Sequence, residues 1–148
     1  MVWGAIRFGW RSNLVIVNGT LTSQRYVNEI LSTEVVPYIQ NHANSIFMQD
    51  NARPHVARAS LAYLQANNVS LLDWPAYSPD MNPIEHLWDH LDRQVRARTP
   101  PPRILQVLRQ ALTDERNRYP QHKIIRLVTS MHRRVRALSA SRGSHTRY

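Results

Sequence analysis

Apolar positions along this chain recur with two different periods. Met1 to Phe8 (MVWGAIRF) is a bulky apolar run that predicts a buried strand, Gly9 to Asn13 a turn, and Leu14 to Val17 a second strand closed by Asn18-Gly19. Two strands so close predict an antiparallel hairpin, with Trp3 and Trp10 as packing residues. From Ser23 to about Gln40 the period becomes helical. Tyr26, Ile30, Leu31 and Val35 share a face, Thr22 or Ser23 caps the start, and Pro37 predicts a kink or an early end. Ser45 to Asp50 predicts a third strand, Asn51 to His55 a turn, Val56 to Asn67 a helix, and Val69 to Trp74 a short fourth strand. Pro75 to Pro83 carries three prolines and predicts irregular chain. In Ile84 to about Arg98 the residues Ile84, Leu87, Trp88, Leu91 and Val95 form one apolar stripe. Thr99 to Pro102 breaks the chain. Ile104, Leu105, Leu108, Ala111 and Leu112 mark another helix, Tyr119-Pro120 interrupts it, and Ile124, Leu127, Val128, Met131, Val135 and Leu138 mark a last basic helix before a loose tail from Ser139.

Strands alternating with helices predict an α/β fold, a mixed sheet flanked by helices, with extra helices at the C-terminal end. We read residues 1–98 as the core and 99–148 as a basic helical extension of the same domain.

Charge changes the picture from fold to partner. The 148 residues carry a formal net charge of +9. No acid follows Glu115, while Arg116, Arg118, Lys123, Arg126, Arg133, Arg134, Arg136, Arg142 and Arg147 do. Such an excess, mostly Arg, favours a polyanion, nucleic acid before membrane, because the guanidinium fork matches phosphate geometry. Arg126, Arg133, Arg134 and Arg136, with Arg53, are the candidate nucleic-acid contacts, and His55 reads as structural or as a further such contact. Cysteine is absent, which excludes disulfides and thiolate metal sites. No apolar run approaches the roughly 20 residues needed to span a bilayer, and the first residues lack the pattern of a signal peptide.

Two acids stand in unlike settings. Asp50 closes an apolar strand, where ligand sites of α/β folds collect; an equally simple reading is a turn in which its carboxylate hydrogen-bonds the chain beyond. Glu85 falls at the third position of a helix opened by Asn82-Pro83, which is the capping-box position. A carboxylate committed to that cap has fewer lone pairs for a cation. Asp89 and Asp92 follow Glu85 on the same side of the helix and read as solvated surface. His55, His86 and His90 show no zinc-like spacing. No glycine-rich phosphate loop and no Gly-x-Ser-x-Gly elbow is present.

QDNARPHVA (Gln49 to Ala57) and LLDWPAYSPDMNPIEHLWDHL (Leu71 to Leu91) closely resemble the catalytic domain of Tc/mariner-type DNA transposases. VWGAI (Val2 to Ile6), NGTLTSQRYVNEIL (Asn18 to Leu31) and the end from Ser130 to Tyr148 fit the same family. Residues 51–84, 34 in number, separate Asp50 from Glu85, the Asp-to-Glu separation of the Tc-like branch. The resemblance implies a ribonuclease H-like fold and a metal-binding Asp-Asp-Glu triad, with Asp50 as its second acid and Glu85 as its third. It implies Mg²⁺ or Mn²⁺, two ions in the complete site, acting on DNA phosphodiesters in strand cleavage, strand transfer and integration. It also implies DNA as partner, a full-length transposase or a second copy as a further one, and the nucleus as location. The family's first Asp lies on a strand preceding the one matched by Met1 to Phe8. Within this sequence no acid precedes Glu29, which falls in a predicted helix. The chain therefore reads as a fragment or degenerate copy without the first strand, the first Asp or the paired helix-turn-helix modules. It is expected to be a poor nuclease by itself. The competing readings are an inactive transposase-derived module that holds DNA or a partner, and a ribonuclease H-like nuclease unrelated to transposition.

Overall fold

A computed structural model describes residues 1–75 and 78–141. Of the expected loose tail, Ser139 and Ala140 are instead helical, and residues 142–148 lie outside the described residues, as do Ala76 and Tyr77 of the proline-rich stretch. The chain divides into two compact units, one formed by Met1–Trp3 with Val15–Ser78, the other by Gly4–Leu14 with Pro79 onward.

In the first unit, β1 (Val2–Trp3) pairs antiparallel with β4 (Val15–Ile16), Val2 opposite Ile16. The helical segment from Ser23 to Gln40 is continuous but changes winding. It starts as α1 (Ser23–Tyr26), runs π-helical over Val27–Val35, and ends as α2 (Val36–Gln40). Thr22 caps it, its Oγ1 accepting from the Arg25 N–H at 3.3 Å. Pro37 neither ends nor breaks it. The wide turns give way to α winding beside the proline, which sits in the first turn of α2, where a missing N–H is tolerated. Tyr26, Ile30, Leu31 and Val35 are buried, as their spacing predicts, and pack with Val17 and Leu64 as one core.

The third and fourth strands shrink to β5 (Ile46–Phe47) and β6 (Ser70–Leu71), a parallel pair extended by a bond from Leu72 N to Phe47 O. Between them lie α3 (Arg53–Val56) and α4 (Arg58–Ala66). Helix α4 ends by a defined mechanism. Asn68 takes a left-handed conformation (φ 56°), so that Asn68 N reaches Gln65 O and Val69 N reaches Leu64 O, both at 3.0 Å. Leu64 and Val69 are buried beside that turn. Asn serves here because its short polar side chain tolerates positive φ.

In the second unit, β2 (Ile6–Arg7) and β3 (Trp10–Arg11) pair antiparallel across a two-residue turn, Phe8-Gly9. Gly9 supplies the positive φ (76°) that such a turn needs at its second central position. The hairpin is therefore present, but its turn is tighter than the expected Gly9 to Asn13, and Trp10 and Arg11 join a strand. Ser12 carries that pairing one step further, its N–H donating to Ala5 O and its Oγ accepting from Ala5 N at 2.8 Å. Met1 and Phe8, expected inside a buried strand, are exposed.

Helix α5 (Pro83–Arg96) buries Leu87, Leu91 and Val95, with Ile84 and Trp88 half-buried on the same stripe. A Cβ at Gly4 would stand 3.1 Å from the Trp88 ring, so a larger residue there would press the ring to give by a few tenths of an ångström. The prolines after Thr99 separate α5 from α6 (Leu105–Arg118). The last predicted helix is two: α7 (Gln121–Thr129) and α8 (Met131–Ala140), joined at Ser130. Arg11 closes α6 by donating to three of its terminal carbonyls, Arg116 O at 2.9 Å, Asn117 O at 3.2 Å and Tyr119 O at 2.6 Å. A guanidinium suits that place because carbonyls at a helix end have spare acceptor capacity and carry the negative end of the helix dipole.

Candidate catalytic carboxylates and nucleic-acid contacts

Asp50 lies three residues beyond β5, not at its last residue, in the turn that enters α3. Its Oδ1 accepts from Ala52 N at 3.0 Å, so the turn reading of this acid is realised. The same Oδ1 meets His55 Nδ1 at 2.6 Å. The Asp50 side chain is nonetheless 58% exposed. One oxygen thus sets the turn while the carboxylate stays open to solvent.

The ground under Asp50 is rigid. The His55 ring lies 4.3 Å from the ring of buried Tyr26, tilted by 33°. The Tyr26 hydroxyl donates to Gln49 Oε1 at 2.7 Å, and Gln49 Nε2 donates to His55 O at 3.4 Å. Burial, and then the negative charge of Asp50, hold the Tyr26 phenol well above its ordinary value, so it stays a neutral donor. Buried Ser60 ties α4 to the turn through Pro54 O at 2.6 Å, and Asn51 Nδ2 reaches Trp74 O at 3.0 Å. The residues of QDNARPH are therefore linked to one another and to the first core. Tyr26 and Gln49 were not singled out in the sequence, because a lone tyrosine on an apolar helical face carries no signal beyond core packing.

Glu85 sits in the second unit, exposed, at the third residue of α5. Asn82 is the cap, as predicted, its Oδ1 accepting from Ile84 N at 3.2 Å. The reciprocal half of a capping box is not needed, since the Asn82 N–H already donates to Pro79 O at 2.9 Å. Asp89 and Asp92 are solvated, each paired with an arginine one turn on, Asp89 with Arg93 at 2.7 Å and Asp92 with Arg96 at 2.8 Å. His90 meets the Tyr119 ring edge-on at 4.8 Å. Burial first, then the nearby cations Lys123 and Arg93, lower its pKa.

The donor chemistry of Asp50 and Glu85 fits a hard divalent cation, since both are solvent-facing carboxylates. Among the described residues no three His, Cys, Asp or Glu side chains gather as a ready-made metal cluster.

Of the expected nucleic-acid contacts, Arg53, Arg126, Arg133 and Arg136 are exposed, whereas His55 is committed to Asp50. Arg134 is a correction. It is 2% exposed, its Nε donating to Ser130 Oγ at 2.9 Å and its Nη1 to Asp80 O, so it cannot present its guanidinium to a phosphate. Arg116, part of the same basic run, is also buried and donates to Ser12 O.

The profile of the family described as DDE superfamily endonuclease matches residues 1–107. The Tc3 transposase of Caenorhabditis elegans is 33% identical over 150 residues, all of this chain and 45% of that protein. The Tc1 transposase of the same organism is 33% identical over 153 residues, all of this chain and 54% of that protein. The chain spans about half the length of the curated relatives it matches. Among solved structures, the Mos1 transposase catalytic domain with Raltegravir and Mg is similar with a TM-score of 0.74 at 23% identity, over 93% of this chain and 70% of that one. The fold is thus that of the ribonuclease H-like Mos1 catalytic domain.

Proposed function

Since the chain belongs to the DDE superfamily of endonucleases, we propose that it contributes the catalytic domain of a transposase, which cuts DNA strands and transfers them to target DNA. The observation that carries this reading is Asp50. The acid of the family-like motif projects an exposed carboxylate from a turn that hydrogen bonds hold in place. Asp50 and Glu85 are the carboxylates that would hold Mg²⁺ or Mn²⁺. The bound metal would act as a Lewis acid on a phosphodiester oxygen and favour deprotonation of the attacking hydroxyl. Arg53, three residues beyond Asp50 and exposed, would bind a backbone phosphate near the cut. Arg126, Arg133 and Arg136 would bind further phosphates as point contacts without base specificity. Action on chromosomal DNA would place the protein in the nucleus.

The test is plasmid nicking by a protein that supplies this sequence together with a strand bearing the family's first aspartate. Nicking should require Mg²⁺ or Mn²⁺ and fall at least about a thousandfold in both Asp50→Asn and Glu85→Gln, since each removes a ligand whose charge the metal needs. Metal-independent nicking, or nicking that survives both substitutions, would refute the assignment.

A further inference from the structure

We infer that His55 is the positioning residue for Asp50. Its Nδ1–H fixes Oδ1 and so leaves Oδ2 as the oxygen offered to a divalent cation. This rests on the metal reading proposed above and adds to it a named residue outside the acids.

Three observations carry the inference. The His55 Nδ1 to Asp50 Oδ1 distance is 2.6 Å, among the shortest side-chain contacts in the first unit. The His55 side chain is only 15% exposed, while that of its partner is 58% exposed. The histidine is thus the fixed member of the pair and the acid the presented one. The ring also lies against the Tyr26 ring in a tilted contact, and its backbone carbonyl accepts from Gln49. An ionised carboxylate only accepts, so Nδ1 must be the protonated nitrogen. Oδ1 already takes two donors, His55 Nδ1 and Ala52 N, and among the described residues no hydrogen bond is made by Oδ2. Hydrogen-bonded partners of metal ligands orient those ligands, and losing one costs about 10- to 100-fold in metal affinity.

Two substitutions separate the parts of the contact. His55→Phe keeps a ring against Tyr26 but removes the donor. His55→Asn removes the ring but places an N–H where Nδ1 stood. Mn²⁺ affinity of the whole chain, followed by electron paramagnetic resonance, should fall about tenfold or more in His55→Phe with the melting temperature unchanged, and return to within about threefold of the native value in His55→Asn. Nitrogen-15 spectra should show a proton held on Nδ1 of the imidazole. Asp50→Asn is the reference and should abolish the same Mn²⁺ binding. Native affinity in His55→Phe, with binding lost in Asp50→Asn, would overturn the role of His55 and leave the metal reading standing. Equal losses in both His55 variants accompanied by lower melting temperatures would overturn it as well, by making the residue merely structural. Unchanged binding in Asp50→Asn would remove the metal reading and this inference together.

Discussion

Replacing Arg126, Arg133 and Arg136 together with Gln should flatten the salt dependence of DNA binding by about three in slope. The reason is counterion release: each arginine that neutralises a phosphate contributes about 0.9 to the slope of log K against log salt. All three side chains are exposed on α7 and α8. The effect should be the same on any duplex, because phosphate contacts carry no sequence information. Between 50 and 200 mM salt, the lost slope corresponds to roughly a fortyfold change in how steeply affinity falls. Fluorescence anisotropy with a labelled duplex at several salt concentrations measures it. An unchanged slope would place the binding surface elsewhere.

Arg134→Met should behave in the opposite way, leaving the slope alone and lowering stability. Arg134 is buried on the inner side of α8, bonded to Ser130 Oγ and to the carbonyl of Asp80. Met fills a similar volume but leaves both oxygens without that donor, at a cost of about 1–3 kcal/mol for buried groups. For a chain of this length that is a fall in melting temperature of roughly 5–10 °C. The consequence reaches the site through the chain itself. The Asp80 carbonyl belongs to the short 3₁₀ turn Pro79–Met81, which leads directly into Asn82 and the first turn of α5, where Glu85 sits. Loosening that turn frays the helix end that fixes Glu85. A melting temperature within a degree of the native protein would show that the buried guanidinium contributes nothing.

These two predictions also mark where the sequence was legible. Helix α5 could be read in full, since an Asn-Pro start and a stripe of Ile84, Leu87, Trp88, Leu91 and Val95 are both local signals. Its bounds and buried face are as expected. The strands were legible only as apolar runs. Six residues from Ser45 to Asp50 contain a two-residue ladder, because a strand is defined by the carbonyls of a partner, and the run itself does not show where that partner ends. Asp50 falls in the turn and not at the strand's end for the same reason that the strand is shorter than its run: hydrophobicity stops there, while pairing stops earlier. Arg134 was assigned to the surface by its charge, against its position. It follows Leu127 and Met131 and precedes Leu138 at spacings of four, three and four, so the helical period puts it on the inner stripe. The split of the last helix at Ser130 left no trace in that stripe, which runs through both halves. The support beneath Asp50 was not legible at all. Tyr26, Gln49 and His55 come from separate segments, and only folding brings a helical tyrosine under a loop histidine.

Paramagnetic broadening by Mn²⁺ is the most direct test of whether this chain carries metal-ligating acids. In the native protein at substoichiometric Mn²⁺, the backbone and side-chain resonances of Asp50 and of Glu85 should both broaden away, and excess Mg²⁺ should restore them. Resonances of Asp50 and Glu85 that both persist at the same Mn²⁺ concentration would contradict the account.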